Sequence, residues 1–171
     1  MSAYVALLRA VNVGGTGKLP MTELKAMCEA AGFGQVRTYI ASGNVVFTSD
    51  KSESAVRAAV EKQLEAYAGK PVGVLVRTAA EMADTLKRNP FADRPGNRVV
   101  ALFVDGEIPG DALDHAKGVK EEQMKLGKRE IYVFYGDGMA DSRLSIPAAK
   151  AGTARNMNTV AKLAEMAAAL E

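Results

Sequence analysis

The chain predicts an α+β fold in two units. A ferredoxin-like split βαβ unit (β-α-β-β-α-β) occupies residues 1–78, and a second, smaller α+β unit with a C-terminal helix occupies 79–171. Three observations carry this reading. Apolar strand runs and helical stripes alternate in the order of the split βαβ motif. A breaker-rich stretch from Asn89 to Asn97 then interrupts them, and a fresh strand, turn and hairpin pattern follows.

Each element rests on its own pattern. Tyr4–Val11 is apolar except for Arg9 and predicts a buried strand, while Leu24, Met27, Cys28 and Ala31 mark a helix face ended by Gly32. Val36–Ile40 and Val45–Thr48 are β-rich runs joined by Ala41-Ser42-Gly43-Asn44, a hairpin connection. Ser52 is a good N-cap for a helix striped by Val56, Val60 and Leu64, and Pro71–Arg77 predicts a fourth strand. Ala79–Lys87 reads as helical. Beyond the breakers, Val99–Val104 predicts a strand, Pro109–Lys117 a short helix, and Glu121–Leu126 with Glu130–Tyr135 a hairpin. Gly136, Gly138, Pro147 and Gly152 punctuate the next stretch. Val160, Leu163, Met166, Ala167 and Leu170 then define a terminal amphipathic helix. The halves suggest a diverged repeat of one architecture, without a repeat at the level of residues.

Topology brings loops together. A right-handed helical crossover makes the first and second strands run parallel, with the third antiparallel between them. The exit of the first strand and the hairpin at Ser42-Gly43-Asn44 therefore share one edge, and the turn Gly69-Lys70 falls there too.

Composition excludes several classes. With 171 residues, 48% hydrophobic and 25% charged, the chain is globular. Lys+Arg 22 against Asp+Glu 20 is too balanced for nucleic-acid binding by bulk charge alone. One cysteine, Cys28, forms no internal disulfide, and no charged-then-apolar leader opens the sequence, so a cytoplasmic location is expected. No apolar run approaches the roughly 20 residues that span a bilayer.

The most informative segment is Asn12-Val13-Gly14-Gly15-Thr16-Gly17-Lys18, between a strand and a helix. Its glycines let backbone N–H groups turn toward an anion, and Lys18 adds a cation beside a helix start. It is not a P-loop: Asn12 stands where the first glycine belongs and Leu19 where the magnesium-binding hydroxyl belongs. Nor do its glycines fit a dinucleotide fingerprint. The alternative is a tight turn that needs glycine for positive φ. Ser42 and Asn44 add polar groups at the same edge, or are ordinary turn residues. Arg155 and Asn156 precede the last helix, where a guanidinium and an amide either clamp an anion or serve as internal partner and N-cap.

A different reading concerns the second strand, which sets Arg37 and Tyr39 opposite Val36, Thr38 and Ile40, with Arg9 joining them from the first strand. Arginines with an aromatic on an open four-stranded sheet are how RNA-recognition modules stack bases. The matching consensus is absent, and a face covered by the second unit is the favoured alternative. His115 lies beside Asp111 and Asp114, with no other His or Cys to complete a metal site. Asp137, Asp141 and Arg143 line a pocket or decorate exposed turns. No general base stands out, so no reaction is assigned and any cofactor is unspecified.

Tyr4 to Gly15, Lys18-Leu19-Pro20-Met21, Arg37 to Phe47 and Arg155 to Leu163 together resemble a bacterial family catalogued as domain of unknown function 1697. The resemblance spans essentially the whole chain. It implies an α+β protein of ferredoxin-like units and supplies no activity. Its recurring segments coincide with the loops that topology gathers at one edge. In the family the closing motif usually carries tryptophan where this chain has Met157, and the first loop is often more basic. The expected function is binding of a small phosphate- or carboxylate-bearing ligand by Asn12, Gly14, Gly15, Lys18, Ser42, Asn44, Arg155 and Asn156. The alternatives are an RNA-binding module using Arg9, Arg37 and Tyr39, or a protein-interaction domain.

Overall fold

The computed structural model describes residues 2–9, 19–40, 43–136 and 142–171. Among them are two four-stranded antiparallel sheets and four α-helices. Contacts divide the chain into two compact units, Met1–Ala83 with Leu163–Glu171, and Asp84–Lys162. The seam drawn from sequence, after residue 78, lies at the start of one helix; the division by contacts falls inside that helix and inside the last one.

In the first unit β1 (Ser2–Leu8), α1 (Met21–Ala30), β2 (Gly34–Tyr39), β3 (Asn44–Ser49), α2 (Glu53–Ala68) and β4 (Val74–Thr78) follow in chain order. The sheet order is β2-β3-β1-β4, with β3 antiparallel to both β1 and β2. That is the arrangement the crossover argument requires. Alternation along the strands sends Tyr4, Ala6, Leu8, Val45, Phe47 and Val76 to one face, where they meet Leu24, Met27 and Cys28 of α1 and Val56, Val60 and Leu64 of α2. Phe33 stacks on Phe47 with centroids 4.3 Å apart. Ser52 caps α2 by accepting from the Ala55 N–H at 3.3 Å, and Gly69 ends it in the left-handed region at φ 72°.

The other face of this sheet carries Val5, Leu7, Val46, Leu75, Asn44 and Arg77, all buried. Toward its β2 side it opens: Arg37 is exposed and Tyr39 half-buried. The face is therefore neither the open platform nor the fully covered surface that the sequence left as alternatives.

α3 (Ala79–Lys87) follows β4, and Thr78 starts it with a reciprocal pair: Glu81 N–H donates to Thr78 Oγ1 at 3.1 Å, and Thr78 N–H donates to Glu81 Oε1 at 2.9 Å. In the second unit β5 (Val99–Phe103), β6 (Gln123–Leu126), β7 (Glu130–Phe134) and β8 (Thr153–Asn156) form a sheet of order β6-β7-β5-β8. α4 (Met157–Ala168) begins directly after β8. Only short 3-10 turns, Ala112–His115 and Pro147–Ala149, occupy the connections from β5 to β6 and from β7 to β8 among the described residues. The expected helix over 109–117 shrinks to the first of these turns.

β8 is a strand that the sequence did not suggest. Thr153-Ala154-Arg155-Asn156 is short and polar, and reads as the run-in to a helix. Pairing with β5, in the register Ala101↔Arg155 and Val100↔Asn156, makes it a strand. Gly152 permits this, because a Cβ there would collide with the Phe103 carbonyl.

A repeat at the level of residues also emerges. Arg77 faces Val5 across β4 and β1, and Arg155 faces Ala101 across β8 and β5. Each Nη1 donates to the carbonyl of the preceding residue, Val76 at 3.0 Å and Ala154 at 2.9 Å. The residue after each arginine caps the next helix: Thr78 as above, and Asn156, whose Oδ1 accepts from the Thr159 N–H at 2.9 Å.

Candidate functional site

The edge that topology singled out is built from three converging segments of the first unit. At the end of β1 the Leu8 N–H donates to the Gly43 carbonyl and the Arg9 N–H to the Gly73 carbonyl, both at 2.9 Å. The β1 exit, the β2–β3 turn and the start of β4 are thereby fixed side by side. Gly73 leaves space for Arg9: a Cβ at Gly73 would stand 2.9 Å from Arg9 Cδ, so the arginine stem lies along that backbone.

The turn between β2 and β3 is conformationally demanding. Ile40 has φ 53° and is 48% exposed, and Gly43 has φ 87°. A β-branched residue in the left-handed region costs on the order of 1–3 kcal/mol and persists only where surrounding structure enforces it. Asn44 supplies part of that enforcement. Buried at the start of β3, it donates from Nδ2 to the Tyr39 carbonyl at 3.0 Å and so closes the hairpin.

Asn12, Gly14, Gly15, Lys18 and Ser42 lie outside the described residues, as do Asp137 and Asp141. Arg9, Tyr39 and Asn44 are brought together at the edge; Arg37 lies further along β2, paired with Val46. Arg155 and Asn156 belong to the second unit. Arg155 is 7% exposed and donates to Thr153 Oγ1 at 2.8 Å and to the Ala154 carbonyl, and burial pulls its guanidinium down to about 10. Asn156 is the N-cap of α4.

For base stacking, Tyr39 is half-buried on the edge strand β2, on the face opposite the helices. Tyr4 and Phe47, on the central strands, point into the helix-covered core, and the opposite face shows Val5, Leu7 and Val46 at its centre. Cys28 is buried, and burial followed by the charge of Glu29 pushes its thiol up to about 12, which keeps it in the thiol form at neutral pH. Exposed His115 pairs with Asp111 at 3.1 Å. No cluster able to hold a metal ion occurs among the described residues. Met157 is buried at the start of α4 and serves as core.

Sequence reasoning missed Gly73, the left-handed Ile40 and buried Arg77. The signal for Arg77 was present: Val76-Arg77-Thr78 and Ala154-Arg155-Asn156 each set a small or apolar residue, an arginine and a capping side chain before a helix.

Residues 1–132 match the family described as protein of unknown function (DUF1697), and the chain belongs to that family. No curated protein matches it. Among solved structures it is similar to the conserved bacterial protein SP0830 from Streptococcus pneumoniae, with a TM-score of 0.79 and 24% identity. The likeness covers 97% of this chain and 98% of that one, and it shows a shared fold. No helix among the described residues is long and apolar enough to cross a membrane.

Proposed function

We propose that this member of the DUF1697 family binds a small phosphate- or carboxylate-bearing ligand at the β1-exit edge of its first unit. The observation that carries the reading is the pair of hydrogen bonds from Leu8 to Gly43 and from Arg9 to Gly73. They bring the chain that leads into the glycine-rich segment against the hairpin turn, with Arg9 beside it. Asn12, Gly14, Gly15 and Lys18 supply amides and a cation, Ser42 a hydroxyl, and Arg9 a second cation. Asn44 shapes the turn from beneath. Arg155 and Asn156 are left out, since both are engaged in the β8–α4 junction. The order β2-β3-β1-β4 with two crossover helices supports a ferredoxin-like reading of this unit. Balanced charge and a single buried thiol support a cytoplasmic setting.

RNA binding through Arg9, Arg37 and Tyr39 is the second reading, favoured only by the exposure of Arg37. The aliphatic centre of that face argues against it.

A thermal-shift panel of inorganic phosphate, nucleoside mono- and diphosphates and citrate tests the proposal. A ligand at a hundred times its Kd stabilises by about 2.7 kcal/mol, a rise of roughly 5–10 °C for a chain of this size. Lys18→Ala and Arg9→Ala each abolish the rise. A panel without a hit, or a hit that both variants retain, refutes the reading.

A further inference from the structure

The second unit holds a cavity of its own. Val104, Ile131, Val133 and Ile146 form a buried cluster, and Leu102, Tyr135 and Leu144 pack against it only partly buried. Lys117 and Ser145 are bridged by reciprocal backbone hydrogen bonds of 2.8 Å, which fix the strand of chain that crosses this face. Beside it lies a cavity of about 480 Å³ whose apolar lining includes Leu102, Leu144 and Ile146.

The polar side chains lining it are Lys117, Tyr135, Ser145 and Lys150. All can donate, and two are cationic. Lys117, Ser145 and Lys150 are exposed, and Tyr135 is half-buried. Tyr135 stays a protonated donor at neutral pH, because burial and then the Glu122 charge raise its pKa. Glu122 is itself occupied by the Ser142 hydroxyl and the Lys120 N–H.

We infer that this cavity binds a small amphipathic carboxylate, its apolar body on Leu102, Leu144 and Ile146 and its carboxylate against Lys117. The volume lies in the range of small-molecule sites, and the lining offers both apolar and polar groups. The polar groups here match an acceptor-only head. A bare inorganic anion would leave the apolar lining unfilled.

Octanoate is the probe, titrated into the ¹⁵N-labelled full chain and read from amide shifts. Saturable shifts at Lys117, Leu102, Ser145 and Ile146 are expected. Lys117→Ala weakens binding by roughly tenfold, the scale of one charge-assisted hydrogen bond, while Lys117→Arg keeps it. Octanol binds more weakly by a similar factor and octylamine not at all. Lys18→Ala leaves octanoate binding unchanged, which separates this site from the edge of the first unit. The inference is overturned by shifts that do not saturate or that fall elsewhere, by octanol binding as tightly as octanoate, by inorganic phosphate matching octanoate, or by a Lys117→Ala protein that binds as well as wild type.

Discussion

The two sheets share one strand order, β2-β3-β1-β4 and β6-β7-β5-β8, yet differ in what covers them. Over the first lie α1 and α2, with Leu24, Cys28, Val56, Val60 and Leu64 fully buried. In the second, only short turns stand in those connections among the described residues, and Leu102, Leu144 and Tyr135 remain partly exposed. A helix covers a sheet face continuously because its stripe repeats every turn; an irregular segment covers it at isolated points. The same strand framework thus gives a closed core in one unit and a cavity in the other.

That contrast fixes the largest expected effect. Leu64→Ala removes a fully buried side chain beneath α2 and costs about 2–5 kcal/mol, the range for truncation in a packed core. Leu144→Ala, on the open side of the second sheet, costs less than about 1.5 kcal/mol, since part of that surface already meets solvent. Urea denaturation of both variants measures the pair, and equal costs would break the comparison. Arg77→Ala and Arg155→Ala come next. Both destabilise by about 1 kcal/mol or above, and Arg77→Ala costs slightly more, because Arg77 is 1% exposed against 7% for Arg155. The reverse order would show that the two arginines are equivalent in place but not in role.

Thiol chemistry reads the same difference without unfolding the protein. Cys28 lies under the closed face, its thiol pushed up to about 12. At pH 8 it reacts with a disulfide reagent on the order of a hundredfold more slowly than a cysteine placed by Leu144→Cys, assayed in a Cys28→Ala background. The same shift has a stability consequence. The unfolded thiol ionises near 9.0 and the folded one only near 12, so the contribution of Cys28 is intact below about pH 9 and declines as pH rises toward 12. Cys28→Ala flattens that decline. Fast labelling of native Cys28 would show that α1 opens and that the first core is less closed than its burial implies.

How far the sequence revealed this architecture depended on which interactions are local. The stripes Leu24, Met27, Cys28 and Val56, Val60, Leu64 specify helices by spacing alone, and the element order implies the edge where Leu8 meets Gly43. β8 escaped because nothing in Thr153-Ala154-Arg155-Asn156 favours a strand; its conformation comes from β5, and room for it comes from Gly152 against Phe103. The cavity escaped for a similar reason. Lys117 and Ser145 meet only through a backbone bridge between segments that carry no periodic signal. At the first edge the neighbourhood of the β1 exit and the β2–β3 turn was legible from element order alone, whereas glycines state only that chain can turn.

The smallest effect concerns the feature the units share. Thr78 and Asn156 each follow a buried arginine and cap a helix, so Thr78→Ala and Asn156→Ala each cost about 1 kcal/mol, the usual value of an N-cap. Thr78→Ala costs slightly more, because its reciprocal partner Glu81 loses the matching geometry. The informative measurement is the double variant. Independent junctions give costs that add within about 0.5 kcal/mol. A larger coupling, with a single urea transition retained in every variant, would mean that the two strand-to-helix junctions fold as one cooperative element. The repeated arginine and cap would then be the device that ties two differently covered sheets into one folding unit.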